Sequence, residues 1–272
     1  MNSLRIIAQL VMRDIRNPRY YYRLVFCFFL LLAHFILKLD QQLAYAQELG
    51  LGINALEPVL QLFAQDFTGI LVMGSLIYLV SDAPFRTRGD YNSIYRVGRI
   101  NWLSSKIIFL LYLVALYILA CFLASFLFTL PVLEFGFSYS EFVMRPPIEG
   151  LDNHKVFLFF GLTDKYPLMQ AVVRSGLNFF LWSTILGMII LNTNMKYHRA
   201  YGVSLAFLVP VGHTVLQAIS PVSRVGYLSF LYLESLDAEL WPRTIAVMVA
   251  VIVALMVLAL AQVGKHSMHE KE

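Results

Sequence analysis

The chain has 272 residues, 59% of them hydrophobic and 14% charged, with mean hydropathy +0.68; an average soluble domain holds about 45–50% and about 25%. That balance excludes a water-soluble fold, and the length leaves no room for a second soluble catalytic domain of ordinary size. The formal charge of +4 reflects topology and anionic lipid rather than nucleic acid.

The residues therefore predict an all-α, polytopic integral membrane protein, with residues 1–272 as a single transmembrane domain. From the N-terminus, Leu4, Ile7, Ala8, Val11 and Ile15 recur at helical spacing, with Arg5, Gln9, Arg13 and Arg16 opposite. This pattern over residues 3–17 predicts an amphipathic helix lying in the headgroup layer; the competing reading is a plain basic flank that only fixes topology. Pro18 ends the segment, because the residue before proline avoids the α conformation. Tyr20, Tyr21 and Tyr22 then stand where interfacial aromatics anchor a span. No small-residue cleavage site follows the first apolar run, so no removable signal peptide is expected.

A membrane-crossing helix needs about 20 mostly apolar residues, which places six spans near 21–38, 60–81, 107–131, 168–191, 200–219 and 244–263. The second is long enough only if it includes Gln61, Gln65 and Asp66, so that end is expected to face other helices or a wet cavity. Between the second and third spans, 82–106 forms a basic loop with its own helix signals: Ser81 or Asp82 as N-cap and Pro84 in the first turn. A short surface helix able to touch a partner is one reading of it, and a solvated loop whose arginines only set topology is the other. The connection 132–167 carries the turn formers Arg145-Pro146-Pro147 and Glu149-Gly150, and its aromatic stretch Val156 to Phe160 packs on the membrane surface. Pro210, Gly212 and Pro221 interrupt an apolar run before the last span, which makes 220–243 either a re-entrant segment or a plain external loop.

Orientation follows from Lys and Arg. With both termini cytoplasmic, that face holds Arg5, Arg13, Arg16, Arg19, Arg23, Arg86, Arg88, Arg96, Arg99, Lys106, Lys196, Arg199, Lys265 and Lys271, 14 of the 21 basic residues, against Asp14, Asp82, Asp90, Glu270 and Glu272. The opposite face is acidic. This is the asymmetry of the positive-inside rule, and an odd number of spans would spoil it.

Little in the chain points to chemistry of its own. It has no G-x-x-x-x-G-K-(S/T) phosphate loop, no H-E-x-x-H, and no paired Cys/His spacing for a metal. Cys27 and Cys121 lie in apolar runs as small packing residues. Ser204 and His213 make a poor protease dyad, since Pro210 intervenes. His34 and His213 read as satisfied by neighbouring helices, and Asp66 is the better candidate for a functional intramembrane charge. The chain is thus not expected to be an enzyme by itself, and it binds no cofactor.

An amphipathic lead-in, six spans, a helical first cytoplasmic loop and a broken segment before the last span together resemble the permease subunits of the ABC-transporter type-2 exporter family. The most specific match is Arg96-Val97-Gly98-Arg99 with Leu103 and Lys106, similar to the family's P-(I/V)-S-R-x-x-x-L-x-x-K. Here arginine replaces the proline and glycine the serine, and only Asp90 supplies an upstream acid. The resemblance implies a cytoplasmic ATP-binding-cassette ATPase subunit as partner, with ATP and magnesium on that partner. It also implies a second permease copy or paralogue, as homo- or heterodimer. Coupling residues would be Arg86, Arg88, Asp90, Arg96, Arg99 and Lys106. The location implied is the cell membrane, the cytoplasmic membrane if the source is bacterial. The chain lacks the R-Y-x-x-S-x-L-G lead-in associated with polysaccharide exporters, and its many Phe and Tyr favour an apolar or amphipathic cargo, a small peptide or a hydrophobic drug. Two alternatives stand beside this reading: a self-contained secondary transporter or channel, and a non-transporting assembly or immunity factor.

Overall fold

The computed structural model describes residues 3–64, 70–85, 94, 96–144, 166–219 and 241–265. The chain is mostly helical. Helix α1 (Ser3–Ile15) stops before Asn17-Pro18, and α2 (Pro18–Leu49) begins there, with the Asn17 side chain accepting from the Arg19 backbone N–H and Pro18 in the first turn. Proline suits that position because its missing donor would be unpaired there anyway. The helix outruns the apolar window at 21–38: Lys38, Asp40 and the glutamines are adequate helix formers, and it ends only where Gly50 turns left-handed and the Gly50 and Leu51 N–H groups return to Gln47 and Ala46 carbonyls.

Next come β1 (Ile53–Asn54), α3 (Leu56–Ala64) and α4 (Ile70–Val80). The second expected span is thus divided between α3 and α4, while Gln65 and Asp66 lie outside the described residues. Gln61 is buried and shares a shallow cleft with Leu39, Gln42, Glu57 and Phe128, in keeping with a polar end turned toward other helices. The long helix α5 (Arg99–Thr129) leads through one 3-10 turn (Leu130–Val132) into β2 (Leu133–Glu134), and then come α6 (Glu141–Met144), α7 (Leu168–Lys196), α8 (Arg199–Ile219) and α9 (Trp241–Lys265).

Two expectations are corrected here. The backbone of α8 runs helical past Pro210 and Gly212 to Ile219, since an internal proline removes one hydrogen bond, which an apolar helix tolerates; Pro221 lies outside the described residues. Ser81 and Asp82 lie in a turn over 81–85 rather than at a helix start; of the loop helix expected within 82–106, Ile94, Arg96 and Val97 are helical, with Gly98 N–H bonding the Ile94 carbonyl at 3.0 Å, residues 86–93 and 95 lie outside the described residues, and Arg99 to Lys106 belong to the first turns of α5. The N-cap of α5 is Gly98, at φ +84°, a conformation that glycine reaches without strain.

Among the described residues, four helices are long and apolar enough to cross a membrane, namely α2, α5 with its 3-10 turn, α7 and α9, and α4 and α8 contribute shorter apolar stretches. Helix α7 is the axis of the bundle: 67% of its apolar window is buried, against 17% for α9. It packs on α9, α8, α3 and α5, while α5 in turn carries α1 and α2. The α5–α7 crossing depends on Gly187, where an added Cβ would sit 2.8 Å from Leu110 Cδ1. Gly187→Val should therefore destabilise the bundle by about 1–3 kcal/mol through overpacking, read as a lower melting temperature in detergent, and Leu110→Ala in the same chain should recover much of it.

At the end away from α1, β1 and β2 pair in parallel with Ile53 opposite Leu133 and Asn54 opposite Glu134. Asn54 caps α3, its Oδ1 accepting from Leu56 N–H and its Nδ2 donating to the Gly136 and Ser138 carbonyls. Glu57 completes a reciprocal cap by accepting the Asn54 N–H at 3.1 Å, and its carboxyl also accepts the Ser140 N–H at 2.7 Å and hydroxyl at 2.9 Å. Burial nonetheless pushes the Glu57 carboxyl up from 4.5 to about 7, against the pull of those donors. Because the folded state holds the proton more tightly, this group's stability is full below about pH 4.5 and is lost as pH rises toward 7. Melts should fall between pH 5 and 8 by an amount on the order of 2–3 kcal/mol, and Glu57→Gln should flatten that slope.

Candidate functional site

The end of the bundle that carries α1 is held by two ionic hubs, both built from residues near helix termini. In the first, Lys106 Nζ lies 2.8 Å from Asp14 Oδ2, with the lysine side chain 0% and the aspartate 4% exposed. The same ammonium donates to the Phe85 carbonyl at 3.3 Å and stands 5.9 Å from the Trp102 ring centre. One buried cation thus ties α1, α5 and the 81–85 turn. Burial is favourable here because the charge meets a carboxylate and a carbonyl in fixed positions; alone, either charge would be costly.

In the second hub, Asp82 receives three arginines from two helices. Arg23 Nη2 is 2.7 Å and Arg19 Nη2 2.9 Å from Oδ2, and Arg199 Nη1 pairs with Oδ1. Arg23 is buried and also lies over the Tyr78 ring at 5.1 Å. Arg199 donates a second bond to Ser81 Oγ at 2.7 Å, and Asn194 donates to the Ser81 and Ala83 carbonyls at 3.1 and 2.7 Å. The 81–85 turn is therefore gripped by α2, α5, α7 and α8 at once. Between the hubs, Tyr20, Phe85 and Phe109 meet edge to face with ring centres 5.0–5.5 Å apart, the favoured aromatic geometry.

The sequence-nominated residues divide. Arg5, Arg13, Arg16 and Arg96 are exposed, and Arg13 also approaches Asp14 at 3.5 Å. The buried face of α1 is Leu10, Val11 and Asp14, packed on α5, whereas Leu4 and Ala8 of the expected apolar stripe stay exposed. Arg99 reaches the Val263 carbonyl at 3.3 Å near the C-terminus of α9, a favourable place for a cation. Lys106 is closed to any soluble partner, so its place is as a joint rather than a contact. Arg86, Arg88 and Asp90 lie outside the described residues. Asp14, Asp82 and Asn194 were missed as site residues; the signal was that Asp14 and Asp82 are isolated acids in strongly basic stretches.

Cys27 is a buried packing thiol that donates to the Ser75 carbonyl at 3.2 Å, and Cys121 is likewise buried and free. Among the described residues no three His, Cys, Asp or Glu side chains gather to hold a metal. No protein-family model matches the chain, and neither does any curated protein or solved structure.

Breaking one partner of the buried pair should be severe. Lys106→Met alone should cost about 3–5 kcal/mol in unfolding measurements in detergent, and Lys106→Met with Asp14→Leu should recover most of that loss, because no uncompensated charge then remains.

Proposed function

We propose that this chain is the membrane-spanning subunit of an ATP-driven exporter, powered by a separate ATP-binding-cassette ATPase and paired with a second permease copy or paralogue. The reading takes six crossings, with the segments near 60–81 and 200–219 supplying the two shorter ones, and places both termini in the cytoplasm by the positive-inside rule. The observation that carries it is the Lys106–Asp14 joint, which fixes the basic N-terminal helix to the first turns of α5. A partner pressing on a surface element can move a span only if the connection is short and stiff. Here α1 and the turn before the basic loop converge on the lysine that begins the membrane portion of α5.

Arg86, Arg88, Arg96 and Arg99 would meet the ATPase, and motion would pass from α5 to α7 across the close Gly187–Leu110 contact. The cargo on this reading is apolar or amphipathic, a small peptide or a hydrophobic drug, since the bundle interior is rich in Phe and Tyr and its hydroxyls mostly bond back to their own helices.

Affinity purification of the tagged chain from its native membrane in mild detergent should bring down a stoichiometric subunit with a phosphate-loop ATPase. Reversing Arg86, Arg88, Arg96 and Arg99 to glutamate should lower stimulation of that ATPase by roughly tenfold or more while leaving insertion intact. A chain that purifies alone and moves solute in proteoliposomes without ATP would overturn the proposal.

A further inference from the structure

We propose that the Asp82 hub is also a binding site for the phosphate group of an acidic membrane phospholipid. Three guanidinium groups converge on one carboxylate, so among the described residues these four side chains sum to a net charge of +2. Arg23 is enclosed, but Arg19 and Arg199 remain 57% and 46% exposed. Each uses one nitrogen on Asp82, and Arg199 a second on Ser81, which leaves outward N–H donors on both forks. Two such forks held close together by one aspartate match the oxygens of a phosphate, which accept charge-assisted bonds from arginine in this planar geometry. Asp82 orients the pair without neutralising it.

The surroundings suit a lipid headgroup rather than a soluble anion. Exposed tyrosines accompany the hub's arginines in the chain: Tyr22 precedes Arg23, Tyr197 and Tyr201 bracket Arg199 with their rings 6.1 Å apart, and the Tyr78 ring centre lies 5.1 Å from the Arg23 guanidinium. Tyrosine concentrates at the headgroup level, where one end of the ring is wet and the other apolar. Below them, α2 and α8 both pack on α4. Phe26 of α2 meets Tyr78 of α4 at 5.4 Å, and Phe207 of α8 lies 4.0 Å from where a Cβ on Gly74 of α4 would stand. That apolar track leads away from the charged hub as an acyl chain leads away from its phosphate.

The test uses the purified full-length chain in dodecyl maltoside, titrated with dioleoyl phosphatidylglycerol or dioleoyl phosphatidylcholine and read by native mass spectrometry and by thermal melting. Two extra arginine charges should favour the acidic lipid by about tenfold or more. Arg19→Gln with Arg199→Gln should erase the preference, while Arg5→Gln should preserve it. Should the double variant fail to fold, Arg19→Gln alone leaves Asp82 paired with Arg23 and Arg199 and should still weaken the preference severalfold. Equal binding of the two lipids, or a preference unchanged in Arg19→Gln, would overturn the proposal. Inorganic phosphate alone stabilising the lipid-free protein as strongly as phosphatidylglycerol would assign the hub to a soluble anion and overturn the lipid.

Discussion

The turn at 81–85 is the constraint on which this end of the molecule depends, because it has little secondary structure of its own and is positioned by charge and amide contacts from four helices and by the packing of Phe85 against Tyr20 and Phe109. Asp82 collects Arg19, Arg23 and Arg199, Phe85 offers its carbonyl to Lys106, and Asn194 spans two further carbonyls. In an apolar bundle, helix contacts made only of Leu, Phe and Val are permissive about register, since many shifted packings bury similar area. Ion pairs at the helix ends are not permissive: a shift of one turn would strand a buried charge. The hubs therefore select one arrangement of α1, α2, α5, α7 and α8 from those the apolar faces allow.

Much of this architecture was legible in the sequence, and what was missed has a physical pattern. Apolar windows located α5, α7, α8 and α9 to within a few residues at most boundaries, because a run of about 20 apolar residues has few other uses. They undershot α2, where Lys38 and Asp40 mark the end of the apolar window but not of the helix, which only Gly50 terminates. The Ser81-Asp82-Pro84 segment looked like a helix start because an acid before proline is a capping signature. The same carboxylate had a stronger alternative in three arginines from distant parts of the chain, which local pattern does not reveal. The Asp14–Lys106 pair is 92 residues apart in sequence, and composition could register both charges without pairing them. At the opposite end, Asn54-x-x-Glu57 was a readable capping box, whereas the pairing of Ile53 with Leu133 was not, since two-residue strands carry no periodicity.

The two ends of the bundle are closed by different chemistry. At the α1 end the cations are mostly arginine, whose charge does not titrate in a protein. At the other end the β1–β2 pair and the start of α3 hang on Glu57, whose burial brings its carboxyl near neutrality. One end is thus fixed by permanent charge, while the other is fastened by a group whose protonation the surroundings can change. If the chain is the exporter subunit proposed above, a cycle that opens the two ends alternately would need such inequality: the end where force arrives would have to be stiff to transmit it, and the far end able to part without breaking a permanent ion pair. Helices α5 and α7, in close contact at Gly187 and reaching both ends, are the elements through which stiffness at one end would be felt at the other.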